Sequence, residues 1–167
     1  YKKQAANILD FSKVTVRYNH EWLEKLSSTE TLKMMSHFTV QQMLQRDMFK
    51  ERIKNDEDLS PMEFMYPLMQ AYDSVEVKAD IELGGTDQTF NLMVGRDLMR
   101  DMGMAPQIAI TLPLLVGTDG KEKMSKSYGN HIGINMSSFE IYSRVMSLPD
   151  SLMKDYYTLL THLPSDE

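Results

Sequence analysis

The chain has 167 residues, 42% hydrophobic and 25% charged, with a net charge of −6 and no cysteine. That length supports a real core and one domain, or one domain with an appendage; the acidic balance leaves no overall basic footprint, so any nucleic-acid contact needs a local patch or parts outside these residues. Lack of cysteine excludes a disulfide scaffold and a thiolate metal site and fits a reducing compartment; no apolar run nears the ~20 residues of a membrane span, and no secretory signal is visible. Methionine is frequent, at 15, and is expected mostly as adaptable core filler. The opening at Tyr1 and the closing Pro164-Ser165-Asp166-Glu167 lead us to expect an excised piece of something longer.

In chain order, residues 21–26 read as a short helix. Thr39-x-x-Gln42 is a capping box opening a helix to about Lys54, with Val40, Met43, Leu44 and Met48 on one side. A polar loop follows over 54–58. Ser60-Pro61-Met62-Glu63 then announces a helix three ways, by a serine N-cap, a proline at the first position and a glutamate at the third. That helix is expected to run to about Asp73, with Pro67 a place where it can bend. Along it, Tyr66, Gln70 and Asp73 stand at i, i+4 and i+7, within roughly 60° on one face. The plain alternative is a polar solvent face. Against it, the stripe is a phenol, an amide and one carboxylate rather than lysine and glutamate, and the flanking Met62, Met65, Leu68 and Met69 suggest burial over much of the circumference. Such a stripe aimed into a pocket could bind an ammonium and a hydroxyl.

Residues 75–83 alternate apolar and polar, the period-two pattern of a strand. Gly84-Gly85 interrupts it, and Thr86 could cap a helix from about Asp87 to Met102, stopped by Gly103. At this junction the glycines permit close backbone approach. Asp87 could accept hydrogen bonds from a ribose and Gln88 could donate to a carboxyl group; a tight turn with an N-cap is the other reading. Ile108 to Leu112 reads as a second strand. Then come Thr118-Asp119-Gly120 and the pentapeptide Lys123-Met124-Ser125-Lys126-Ser127, before Gly129-Asn130. With Lys121, three ammonium groups fall in six residues of a glycine-bounded loop, a mobile clamp suited to a polyphosphate, against the plain reading of a solvated turn. Ser137-x-x-Glu140 caps a helix to about Met146, and a last helix over about 151–162 places Leu152, Tyr156, Leu159 and Leu163 on one face. Strands joined through a helix imply parallel pairing and a right-handed crossover, so the class is α/β, with ligands expected at the carboxyl ends of the strands.

Taken together, Tyr66-Pro67-Leu68-Met69-Gln70-Ala71-Tyr72-Asp73, Gly84-Gly85-Thr86-Asp87-Gln88 and Lys123 to Ser127 resemble the catalytic domain of bacterial tyrosyl-tRNA synthetases, class I enzymes with a Rossmann-like parallel sheet. The resemblance runs from about Asn19 to Ile134 and extends arguably over the whole chain. It implies that Tyr66 and Gln70 bind the substrate ammonium and that Asp73 receives its phenol. It implies that Asp87, beside Gly84 and Gly85, holds the adenylate ribose and that Gln88 meets the reacting carboxyl region. Lys123, Lys126 and Ser127 match the loop that stabilises leaving pyrophosphate. Residues 20–60 resemble the insertion through which the family forms homodimers. The implied partners are tyrosine, ATP with Mg2+ and tRNA(Tyr), in a cytoplasmic enzyme with no membrane attachment and no metal of its own. On this reading residues 1–134 are the second half of the catalytic domain and 135–167 begin a helical segment. The chemistry suits the residues: an ionised carboxylate attacks the α-phosphorus of ATP, so alignment and positive charge are needed and a general base is not.

The family's other signature, His-Ile-Gly-His, is absent, and His131-Ile132-Gly133-Ile134, which follows the loop, is a decoy. Alone, the chain is not expected to complete adenylation. The nearest rival is a tryptophanyl-tRNA synthetase of the same fold, disfavoured by Tyr72-Asp73 and by Gly84 to Gln88; a dimerising or RNA-binding module without catalysis is the rival of another class. Trp22, the only tryptophan, offers a simple fluorescence signal, whether it lies near the pocket or far from it.

Overall fold

A computed structural model describes residues 2–162. In chain order the elements are α1 (Lys2–Ala5), α2 (His20–Leu23), α3 (Ser28–Ser36), α4 (Val40–Met43), α5 (Asp47–Lys54), α6 (Pro61–Val77), β1 (Ile81–Gly85), α7 (Thr89–Asp101), β2 (Ile108–Leu112), α8 (Ser138–Met146) and α9 (Met153–Leu160), with short 3-10 turns at Thr86–Gln88 and Asp150–Leu152. The expected position of Leu163 on the last helix lies outside the described residues. The chain divides into two compact units, one of residues 17–112 and one of 1–16 with 113–167. Among the described residues no helix is long and apolar enough to cross a membrane.

The unit of residues 17–112 holds the sheet. β1 and β2 pair in parallel, Ile81 opposite Ile108 through to Gly85 opposite Leu112. The alternation puts Ile81, Leu83, Ile108, Ile110 and Leu112 on an exposed face and Glu82, Gly84, Ala109 and Thr111 on the half-buried one. α7 is the crossover between the two strands and packs on α6. Met34, Met43, Leu68, Ala71, Val75, Val94, Leu98 and Met99 form the core.

Capping boxes start α4 at Thr39, α6 at Ser60 and α8 at Ser137, as the sequence indicates; α3 carries a further one, Ser27 with Glu30. Several expectations need correction. The helix expected from Thr39 to Lys54 is two, because Arg46 turns extended and becomes the N-cap of α5. That break carries the fully buried Phe49 onto Phe64, ring centroids 4.9 Å apart. α6 continues past Asp73 to Val77 and stops at Lys78, whose φ of 54° is left-handed. Ala71, Ser74 and Val75 are buried at helical spacing, so the alternating run that resembled a strand serves a helix first and β1 begins only at Ile81. Thr86 does not cap α7 with its side chain; it opens the 3-10 turn, and its carbonyl accepts from the Thr89 hydroxyl at 2.7 Å. Nor are most methionines core filler: Met34, Met43 and Met99 are buried, but Met62 is 80% exposed, and Met69, Met102 and Met146 are exposed as well. α6 is therefore buried on one face, through Pro67, Leu68, Ala71, Ser74 and Val75, rather than over most of its circumference.

Candidate active site

In the unit of residues 17–112, α6 carries Tyr66, Gln70 and Asp73 beside its buried face. Tyr66 is exposed. The Gln70 side-chain carbonyl oxygen is buried with no hydrogen-bond partner among the described residues, an acceptor that a donor from a ligand would satisfy. Asp73 is half-buried. Its Oδ1 accepts from the Trp22 indole Nε1 at 2.8 Å, and the Asn19 side chain is a second hydrogen-bond partner. Burial pushes the Asp73 carboxyl above its ordinary value, and the two hydrogen bonds pull it partly back. Trp22 is itself buried, under the Arg17 guanidinium at 5.3 Å from the ring centroid. Arg17 in turn pairs with Glu21 at 2.6 Å. Trp22 therefore lies beside the stripe and donates to the Asp73 carboxylate. The two residues are 51 positions apart, and no local pattern announces the contact.

At the β1–α7 junction, Gly84 is closely packed. A Cβ there would lie 3.1 Å from both Gln88 Cβ and Leu92 Cδ1. Gly85 ends the strand, and the exposed Asp87 sits in the 3-10 turn. Gln88 accepts from the Asn91 amide at 3.0 Å through Oε1, which turns its own amide donors the other way. A buried polar knot ties this junction to α6. The Ser74 hydroxyl, next in sequence to Asp73, donates to Glu82 Oε2 at 2.9 Å, and Gln107 Nε2 donates to Ser74 Oγ at 3.1 Å and also to Glu82. Gly95 makes room for it, since a Cβ there would meet Ser74 Oγ at 2.7 Å. Sequence reading singled out none of Ser74, Glu82 and Gln107.

Lys123, Lys126 and Ser127 belong to the other unit and are exposed there. Their loop is built on a narrow hairpin: Val116 bridges Lys123 antiparallel, and Met124 N–H donates to Leu115 O at 2.8 Å. At its tip Asp119 Oδ1 accepts from the backbone N–H groups of Lys121 at 2.9 Å and Glu122 at 3.1 Å. Those donors, with the Asn130 amide, hold the Asp119 carboxyl below its ordinary value, the Lys121 N–H being the largest cause. α9 braces the hairpin, the Tyr156 hydroxyl donating to Val116 O at 2.6 Å. His131 is tied by its carbonyl to the Arg144 guanidinium at 2.9 Å. Among the described residues no group of three His, Cys, Asp or Glu side chains could hold a metal ion.

The chain is 53% identical over 166 residues to tyrosine–tRNA ligase 2 of Clostridium acetobutylicum, covering 99% of this chain and 42% of that protein. It is 51% identical over 167 residues to the tyrosine–tRNA ligase of Haemophilus influenzae, covering all of this chain and again 42% of the relative. The chain thus spans about two fifths of the curated relatives it matches. The crystal structure of tyrosyl-tRNA synthetase from Archaeoglobus fulgidus complexed with L-tyrosine aligns with a TM-score of 0.72 at 27% identity, over 96% of this chain and 53% of that one. The strand–helix–strand unit is accordingly part of a Rossmann-like α/β fold. The family described as tRNA synthetases class I (W and Y) matches across residues 1–167, and the chain belongs to it.

Proposed function

We propose that this chain is part of a tyrosine–tRNA ligase. The observation that carries the reading is Asp73, a half-buried carboxylate held by Trp22, on one helix face with the partnerless Gln70 oxygen. A phenol hydroxyl donating to Asp73 and an ammonium donating to Gln70 and Tyr66 would complete this stripe. A site built to receive a hydroxyl discriminates against the analogue without one by as much as ~10⁴–10⁵. The tyrosine carboxylate attacks the α-phosphorus of ATP, the bond to the bridging oxygen breaks, and pyrophosphate leaves with the electron pair. Gln88 presents donors to the carboxyl region, Asp87 beside Gly84 and Gly85 receives the ribose, and Lys123, Lys126 and Ser127 stabilise the departing charge. Mg2+ arrives with ATP as part of the substrate. The tyrosyl group then passes to tRNA(Tyr). Residues 1–134 act as part of the catalytic domain and 135–167 begin the helical segment; homodimerisation runs through residues 20–60, and the enzyme works in the cytoplasm. The name of each curated relative and the overall identity support this reading.

The test is tyrosine-dependent pyrophosphate exchange by the whole protein. Asp73→Ala removes a charge-assisted contact worth about 2–3 kcal/mol and should lower exchange by about thirtyfold or more, with the fold intact. Activity retained within about threefold, a change of under 1 kcal/mol, would remove Asp73 from the phenol site.

A further inference from the structure

We propose that Asn130 is the positioning residue of the lysine loop, a latch that fixes the frame from which Lys126 and Ser127 project. This rests on the reading that the loop handles phosphate. Asn130 is 4% exposed although the crest before it, Lys126 to Gly129, is exposed. Its side chain is spent wholly on the loop. Nδ2 donates to Asp119 Oδ2 at 2.7 Å and to Lys123 O at 3.2 Å; Oδ1 accepts from Ser125 N–H at 2.8 Å. Its backbone carbonyl accepts from Thr118 N–H at 2.9 Å. One residue thereby joins the way into the loop, its middle and its way out. Three features agree that the site is shaped around it. A Cβ on Gly117 would fall inside the Asn130 amide, so only glycine fits opposite. Asp119, itself fixed by two backbone donors, presents its second oxygen to Asn130. Gly129, with φ of 68°, supplies the left-handed step that turns the chain inward to Asn130.

The functional consequence is geometric. With the Ser125 amide committed to Asn130, that N–H is not offered to a phosphate, and the origin of the Lys126 and Ser127 side chains is set by the latch. A charge that stabilises a transition state must be placed to within a fraction of an ångström, and ~1 Å of misplacement costs about 10²-fold.

The experiment is single-turnover adenylation by the whole protein, with tyrosine affinity and melting temperature measured alongside, and with Lys126→Ala as reference. Asn130→Ala should slow adenylation by ~10²-fold while tyrosine affinity stays unchanged. Gly117→Ala, which keeps every polar group of the latch but fills its seat, should reproduce the loss. Asn130→Asp sets two carboxylates together and should be at least as slow; adding Asp119→Asn restores one donor–acceptor pair and should recover about tenfold. If Lys126→Ala is slow and Asn130→Ala is normal, the latch is overturned and the phosphate loop stands. If Lys126→Ala is also normal, the phosphate reading fails and the latch proposal with it. If rate, tyrosine affinity and melting temperature all fall together in Asn130→Ala and Gly117→Ala, Asn130 supports the fold alone and the proposal is overturned.

Discussion

The stripe on α6 and the lysine loop treat polar groups in opposite ways. On the α6 stripe, Gln70 Oε1 is buried without a partner among the described residues, and burial raises the Asp73 carboxyl above its ordinary value. In the loop the buried Asn130 uses both ends of its amide, and the exposed Asp119 accepts from two backbone donors and from Asn130. A surface that binds a ground-state ligand gains most when the ligand supplies the missing hydrogen bonds. A loop that acts on developing charge gains most when its frame needs nothing from the ligand and its cations are already in place.

Lys126→Ala draws that contrast most sharply. Loss of ~2–4 kcal/mol of transition-state stabilisation should slow tyrosyl-adenylate formation by ~10²–10³. Tyrosine affinity, which on the proposed reading depends on Tyr66, Gln70 and Asp73, should barely move, whereas His131→Ala should cost little in rate. Rapid-quench measurement of all three quantities checks this. Weakened tyrosine binding with a normal chemical step in Lys126→Ala would erase the distinction.

Gly95→Ala probes the support beneath the stripe. The added methyl would meet Ser74 Oγ at 2.7 Å, inside the knot with Glu82 and Gln107. Overpacking of this kind costs about 1–3 kcal/mol. Urea unfolding of the 167-residue chain should show a lower midpoint with an unchanged slope. Wild-type stability in this variant would mean that the knot yields freely and does not fix α6 against β1.

Which parts of this were legible beforehand follows from the range of the interactions. Capping boxes act over three residues, and Thr39, Ser60 and Ser137 were readable for that reason; Ser27-x-x-Glu30 carries the same signal and went unread. β2 matches its expected bounds because Pro106 precedes it and its alternation fits only a strand. Residues 75–77 misled because Val75 and Val77 suit both periods, and the buried positions Ala71, Ser74 and Val75 decide for helix only once α7 packs on them. The three motifs were legible as short segments. What holds them was not: Trp22 reaches Asp73, Gln107 reaches Ser74 and Asn130 reaches Asp119, each across a turn of the fold rather than along one element.

Trp22→Phe tests the first of those contacts at modest cost. The ring stays and the N–H that donates to Asp73 is lost. Asp73 then holds one partner fewer, and its preference for a phenol hydroxyl should loosen. Discrimination of tyrosine over phenylalanine should fall by about tenfold, equivalent to one hydrogen bond of ~1–1.5 kcal/mol. The ratio of the two kcat/KM values measures it. If the proposed site is right, the same contact should make Trp22 emission report tyrosine binding in the wild-type chain; no spectral change at saturating tyrosine would separate Trp22 from the site.

Asp73→Asn carries the smallest effect and asks whether α6 gives up stability to hold its charge. The Asp73 carboxyl lies above its ordinary value of 3.8, mainly through burial. The folded state therefore keeps the proton to higher pH than the unfolded chain does. Between the two values the native state binds more protons, so stability falls as pH rises through that window and stays lower above it. Asparagine cannot ionise, yet its side-chain oxygen can still accept from Trp22. The variant should therefore melt slightly higher than wild type near pH 7 and equal to it below pH 3.8, the two curves parting as Asp73 ionises. Glu63 and Asp119, both held below their ordinary values, lose their contributions as pH falls, but they do so in both proteins and cancel in the difference. Paired thermal melts from pH 3 to pH 7 measure it. A difference that does not change with pH, or a variant that is less stable at neutral pH, would show that the Asp73 charge costs the fold nothing, and the contrast between a strained binding stripe and a satisfied loop would lose its energetic half.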